Sequence, residues 1–248
     1  MPRKFGLLKR MGVPTEVRRI GKRLFFAALG ISARPKGELI TLGKKGIPWA
    51  IRGDLLPDQP FVLSAGLSDE VYFEEELLER YESMRIYGMD PTPLCGPVTQ
   101  ELIDRFGEER FMYRGAALGG EDGEMEVWAE KNEAGEAIYF YWGLIQDREE
   151  RRLEKEKIPV LSPRTIAREE GVTVFDLLKI DIEGAEYDVI DHVLGNGIEV
   201  RQLLVEFHYR FDDVGLRKTL DSIRRLKRVG YRIEWVGRWC EEFLFVKE

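Results

Sequence analysis

Cysteine and histidine are scarce in this chain of 248 residues, which holds two of each. Cys95 and Cys240 stand far apart and form neither a disulfide framework nor a CxxC pair. That excludes a structural zinc held by thiolates and points to a reducing, cytoplasmic compartment. Long apolar runs are missing as well. The run Leu24 to Gly30 is too short to span a bilayer and leads into no cleavage site of small residues. No repeat and no low-complexity tract interrupts the chain. A GxGxxG loop between a strand and a helix is also absent, because Gly195-Asn196-Gly197 follows a helical stretch. That counts against a nicotinamide-dependent oxidoreductase, the first alternative to be weighed.

Apolar residues make up 44% of the chain and charged ones 33%, which suits a globular core under a soluble surface. The net charge of −7 conceals an asymmetry. Residues 1–46 carry twelve basic side chains and two acidic ones, Glu16 and Glu38, a local charge of +10 that leaves −17 for the rest. The sequence is therefore read as a basic N-terminal helical arm, 1–46, on an acidic domain, 47–248. Such an arm either docks on its own domain or makes peripheral contact with an anionic membrane. A non-catalytic module recruited in that way is the second alternative. Nucleic acid is not expected as a partner, since the arm lacks interleaved aromatic residues.

From residue 61 onward, short apolar runs alternate with amphipathic stretches. Strands are predicted at Phe61–Leu63, Arg85–Met89, Phe111–Leu118, Phe175–Ile180 and Gln202–Phe207. Helices are predicted around Phe73–Tyr81, from Pro97 to the stop at Gly107, over Ser162–Glu170 before Gly171, over Ala185–Val193, and over Leu216–Val229 before Gly230. Glu124–Ala129 and Ala137–Trp142 alternate like a hairpin around Asn132–Gly135. Asp147–Lys157 is so charged that it reads as an exposed loop or helix. Tyr231–Val236 and Glu242–Val246 read as a C-terminal antiparallel hairpin. The fold class is α/β, a doubly wound, Rossmann-like sheet.

In such sheets ligands bind beyond the carboxyl ends of the strands. Five strand ends therefore carry the candidate residues. At the first, Gly66 permits close backbone approach. Its neighbours Ser64, Ser68, Asp69 and Glu70 flank a helix N-terminus whose acidic residues suit an ammonium or sulfonium better than a diphosphate. At the second, Asp90 lies 24 residues after Gly66 and can accept hydrogen bonds from a ribose. That spacing does not separate a dinucleotide from S-adenosylmethionine. At the third, Leu118 and Gly119 wall an adenine or simply turn the chain. At the fourth, Asp181 is a candidate proton acceptor, and Glu183 either caps the next helix or binds an amine. At the fifth, Glu206 and His208 share one side of a strand, and His208 facing Asp181 would be a general base. The same three, Asp181, Glu206 and His208, offer ligands to a divalent metal, although none is predicted to be bound. His192, mid-helix, is expected to be exposed. Tyr139, Tyr141 and Trp142 are candidate stacking surfaces.

Together these motifs resemble the FkbM-type methyltransferases, class I enzymes dependent on S-adenosylmethionine. The most specific match is Asp176-Leu-Leu-Lys-Ile-Asp-Ile-Glu-Gly-Ala-Glu186. Leu63-Ser-Ala-Gly-Leu-Ser-Asp-Glu70, Met89-Asp-Pro-Thr-Pro93, Ala116-Ala-Leu-Gly119 and Leu204-Val-Glu-Phe-His208 support it in the same order, from about residue 48 onward. The resemblance implies a seven-stranded sheet with an antiparallel last strand. It also implies methyl transfer to a hydroxyl of a sugar or other small metabolite, with the cofactor held by Gly66 and its neighbours, Asp90, and Leu118-Gly119. It departs at Ser68, where the loop usually has a second glycine.

Overall fold

Apolar runs too short for helices form the parallel centre of a sheet, and the amphipathic stretches between them cover its two faces. The computed structural model describes residues 14–43, 48–141, 153–211 and 214–247. In chain order, its elements are α1 (Thr15–Ala28), β1 (Ile40–Leu42), β2 (Trp49–Ile51), β3 (Phe61–Ala65), α2 (Tyr72–Arg80), β4 (Arg85–Met89), α3 (Cys95–Phe106), β5 (Phe111–Arg114), β6 (Ala117–Leu118), β7 (Gly123–Lys131), β8 (Ala137–Tyr141), β9 (Leu153–Leu161), α4 (Pro163–Glu169), β10 (Val174–Ile180), α5 (Glu186–Gly195), β11 (Glu199–Glu206), α6 (Gly215–Arg228), β12 (Arg232–Val236) and β13 (Glu242–Val246).

The main sheet runs β12-β13-β11-β10-β3-β4-β5. From β11 to the edge strand β5 its five strands are parallel, and β13 lies antiparallel to both β11 and β12. The predicted C-terminal hairpin thus enters the sheet with its second strand innermost, as the resemblance implies. Register sorts the core: Leu63, Leu178 and Leu203 stand side by side and face α4, α5 and α6. Val62, Leu177 and Leu204 point the other way, toward α2 and α3. Each such buried leucine contributes about 2 kcal/mol. The predicted boundaries at Gly107, Gly171 and Gly230 all hold, each glycine having a positive φ. Ser162 caps α4 by accepting from the Thr165 N–H.

Two expectations are corrected. Phe111–Leu118 is not one strand. The Ala116 N–H bonds back to the Arg114 carbonyl and turns the chain, so that β5 stays in the main sheet while β6 joins a second sheet, β6-β9-β7-β8. The charged run Asp147–Lys157 is neither loop nor helix from residue 153 on. It enters β9, which pairs antiparallel with β7 beyond the predicted β7–β8 hairpin. Charges answer one another across that pairing, Lys155 to Glu126, Lys131 to Glu156 and Lys157 to Glu124. A partner strand supplies the countercharges, which is why the run alone does not read as a strand. Trp142 and the start of this run lie outside the described residues.

The described part of the arm docks on its own domain. Phe26 packs against Tyr209 and Phe243, Lys22 pairs with Glu241, and the Arg34 N–H reaches the Ile233 carbonyl. β1 pairs with β2, across the division drawn at residue 46. The opposite side of α1 leaves Val17, Ile20 and Leu24 exposed. No described helix is long and apolar enough to cross a membrane. Phe26→Ala should lower the unfolding free energy by about 3 kcal/mol. Leu24→Ala, on the exposed side, should change it by less than about 0.5 kcal/mol. Urea titration of both variants checks the docking.

Candidate active site

The chain reverses its direction of growth across the sheet between β3 and β10, and the carboxyl ends of these neighbours meet at Gly66 and Asp181. The Asp181 N–H donates to the Ala65 carbonyl at 3.0 Å. A Cβ on Gly66, at φ +84°, would stand 1.7 Å from the Asp181 carbonyl oxygen. The glycine is thus demanded by the adjoining strand end and not only by a ligand, as its position in the sequence suggests. The loop that follows is pinned from β4. One carboxylate oxygen of Asp90 accepts from the Leu67 and Ser68 N–H groups at 2.9 and 3.0 Å, and the other accepts from Thr92 N–H at 2.8 Å. Ser68 is held at φ +58°, a left-handed conformation that costs a residue with a Cβ about 1 kcal/mol. The serine thus takes a backbone conformation that ordinarily favours glycine.

Two cavities adjoin this loop. One, of about 220 Å³, is lined by Gly66, Ser68, Asp90, Leu118, Asp181 and Glu183, with Met89 and Met125 adding apolar surface. The other, of about 230 Å³, is lined by Trp49, Tyr72, Phe73, Asp69, Glu70 and Lys179. Gly66, Ser68 and Asp181 line both. The structure therefore gathers most of the expected residues, with exceptions. Ser64 is fully buried and donates its hydroxyl hydrogen to Glu74 at 2.5 Å. Gly119 lines neither cavity. Its N–H donates to the Leu161 carbonyl, and a Cβ there would meet Val160. Glu206 and His208 stand behind Asp181, outside both cavities.

His208 is buried, at 4% exposure, among carboxylates. Its Nδ1 lies 2.6 Å from Glu186 Oε1. Its Nε2 lies 3.4 Å from Glu183, 3.8 Å from Asp181 and 3.9 Å from Glu206. Burial works against its charged form, but the Glu186 hydrogen bond and the charges of Glu186, Glu183 and Asp181 prevail and raise its pKa to about 9. With no ion bound this shift favours the protonated ring at neutral pH, which disfavours the expected role of general base. Loss of water around the charged oxygens raises Asp181, even though its side chain keeps 30% of its exposure, and the nearby Glu186 charge adds to this. The same loss, with the charge of Asp181, pushes Glu206 up to about 8, and it also raises Glu183.

Glu186, which has no role expected from the sequence, is fully buried at the start of α5. Its Oε1 also accepts from the Ile182 and Gly184 N–H groups, so Glu186 and not Glu183 ties down the turn before the helix. Lys179 is a second residue without an expected role. It donates to the Gly66 carbonyl at 3.0 Å and pairs with Glu74 at 3.5 Å. The only available signal for either was membership of the Asp176–Glu186 segment. His192 is half-buried rather than exposed.

The family model described as the methyltransferase FkbM domain matches residues 67–233, more than half of the chain. The crystal structure of the methyltransferase FkbM from Methylobacillus flagellatus KT is similar at 16% identity and a TM-score of 0.50, over 92% of this chain and 54% of that one. This chain thus spans about half the length of that protein. The Methanococcus jannaschii fibrillarin pre-rRNA processing protein aligns at 11% identity and a TM-score of 0.42, over 86% and 83% of the two chains. An O-methyltransferase family protein from Burkholderia thailandensis aligns at 11% and 0.37, over 76% and 51%. No curated protein matches the chain.

A histidine with a raised pKa stabilises the fold fully below its unfolded value of about 6.5 and loses that contribution as pH rises through about 9. The stability gap between wild type and His208→Asn should therefore be widest below about pH 6.5. It should narrow by roughly 3 kcal/mol as pH rises from about 6.5 through about 9, read from urea midpoints across that window.

Proposed function

The chain belongs to the FkbM methyltransferase family, and on that premise we propose that it transfers a methyl group from S-adenosylmethionine to a hydroxyl oxygen of a sugar or other small metabolite. One observation carries this reading. Asp181 is the one ionisable side chain, among the described residues, that lines both cavities. It stands where a cofactor in the first would meet an acceptor in the second.

The residues of the first cavity fit such a cofactor. The Asp90 oxygen that accepts from the Thr92 N–H has a second lone pair with which it could accept from a ribose hydroxyl. Leu118, Met89 and Met125 offer apolar surface to an adenine. Asp181 and Glu183 give the cavity a negative potential that favours a cationic ligand. When bound, the cofactor supplies an electrophilic methyl on a sulfonium. The protein's own contribution is to hold the acceptor hydroxyl in line and to take its proton as the oxygen–carbon bond forms and the carbon–sulfur bond breaks. The raised Asp181 carboxylate is suited to take that proton. Tyr72, 43% exposed at the mouth of the second cavity, provides a face on which a sugar ring can rest.

Calorimetry should show S-adenosylhomocysteine binding to wild type, with Asp90→Asn weakening it at least about tenfold. Asp181→Asn should keep that affinity within about threefold while turnover falls about 100-fold or more. Binding of NAD in place of S-adenosylhomocysteine would overturn the reading in favour of an oxidoreductase.

For the arm we propose contact with an anionic membrane surface. α1 turns Val17, Ile20 and Leu24 outward at i, i+3 and i+7 while its other side is docked, and residues 1–46 carry the charge that such a surface attracts. Sedimentation with vesicles rich in phosphatidylglycerol should capture the protein at low salt. Leu24→Glu should lower the bound fraction at least about fivefold, whereas equal binding to neutral vesicles would refute the proposal.

A further inference from the structure

Behind the shared wall of the two cavities lies a group of donors with the geometry of a metal site. We propose that Asp181, Glu206 and His208 bind one divalent transition-metal ion of the Mn²⁺ class, which holds the acceptor hydroxyl for methyl transfer. One ligand atom from each of the three lies within 4.8 Å of the others. Ligands about 2.1 Å from a common ion stand about 3 Å apart when adjacent and about 4 Å apart when opposed. The His208 Nε2 atom is 3.8 Å from Asp181 Oδ1 and 3.9 Å from Glu206 Oε1; since it can oppose only one of them, the other must close by about 1 Å for an ion to seat between the three.

The orientation of His208 is the independent observation. The ring is buried, and its Nε2 points into a group of carboxylates, Glu183 at 3.4 Å, Asp181 at 3.8 Å and Glu206 at 3.9 Å. Nδ1 is occupied by Glu186, which is itself fixed by the Ile182 and Gly184 N–H groups. A carboxylate on one ring nitrogen is the arrangement that aims the other nitrogen at a metal and sets its tautomer. Phe211 packs against the ring, with centroids 5.1 Å apart. Asp181 and Glu206 leave the ends of neighbouring strands, so backbone pairing sets their separation. One nitrogen and two carboxylate oxygens leave coordination positions for water and an acceptor oxygen.

The catalytic part of this inference rests on the methyltransferase reading, whereas the binding part does not. With the hydroxyl oxygen on the ion, its O–H bond breaks and the proton passes to the Asp181 oxygen that is not on the ion. The oxygen then forms its bond to the methyl carbon, and the carbon–sulfur pair leaves with the thioether. Asp181 holds the ion through one carboxylate oxygen and keeps the other for the proton.

The test is titration of chelator-dialysed full-length protein with MnCl₂, followed by loss of the free Mn²⁺ electron paramagnetic resonance signal, with S-adenosylhomocysteine affinity measured on the same samples. One ion per chain should bind. Glu206→Gln and His208→Gln should each weaken it at least about tenfold, and Glu186→Gln should weaken it to a smaller degree. All three should keep S-adenosylhomocysteine affinity, which certifies that they are folded. Absence of Mn²⁺ binding, or binding unchanged in both ligand variants, would overturn the site. Mn²⁺ binding without S-adenosylhomocysteine binding would leave the site standing and sink the methyltransferase reading instead.

Discussion

The close approach of two strand ends, Gly66 against the carbonyl of Asp181, is the constraint from which the site is built. No side chain fits between them, because a Cβ would sit 1.7 Å from that oxygen. The contact is fastened on both sides, by the Asp181 N–H on Ala65 and by Lys179 on the Gly66 carbonyl. With β3 and β10 joined in this way, the chain leaving Gly66 is driven over toward β4, where Asp90 receives its N–H groups. Ser68 accepts a left-handed backbone as the consequence. The strain is local and small beside three hydrogen bonds to one carboxylate.

The same junction concentrates charge. Asp181, Glu183, Glu186 and Glu206 crowd around one histidine, while Lys179 is engaged with Gly66 and Glu74 on the far side of the loop. Carboxylates outnumber cations, so the region either retains protons, as the raised Asp181 and Glu206 show, or attracts positive charge from outside. A sulfonium in the first cavity and a metal ion behind Asp181 would each meet that demand.

How much of this was legible in the sequence depended on how local each signal was. The alternation of short apolar runs and amphipathic stretches placed all five parallel strands, because strand and helix periodicities are written within a few residues. The strand-end rule then found Gly66, Asp90, Asp181, Glu206 and His208. Contacts made only by folding were not visible in this way. Nothing near Glu186 shows that it will meet His208, 22 residues away, and nothing near Ser64 shows that its hydroxyl will be spent on Glu74. The raised pKa of His208 is hidden for the same reason, since it depends on carboxylates arriving from α5 and two strand ends. The strand β9 was hidden because its countercharges lie on β7.

That second sheet bears on the chemistry as well as the fold. Leu118 of β6 and Met125 of β7 reach the first cavity, so part of its apolar wall comes from outside the doubly wound core. Asp122 fixes this sheet to the core by accepting from the Ser162 N–H at 2.7 Å and from the Thr165 hydroxyl at 2.5 Å, both at the start of α4. Because a carboxylate and a helix cap set the angle of entry, the wall is positioned by polar contacts of fixed direction rather than by apolar packing alone. The core therefore supplies the polar half of the cavity, through Asp90 and Asp181, and the added sheet supplies much of its apolar half. A change of cofactor fit can thus arise on either side without disturbing the Gly66–Asp181 junction between them.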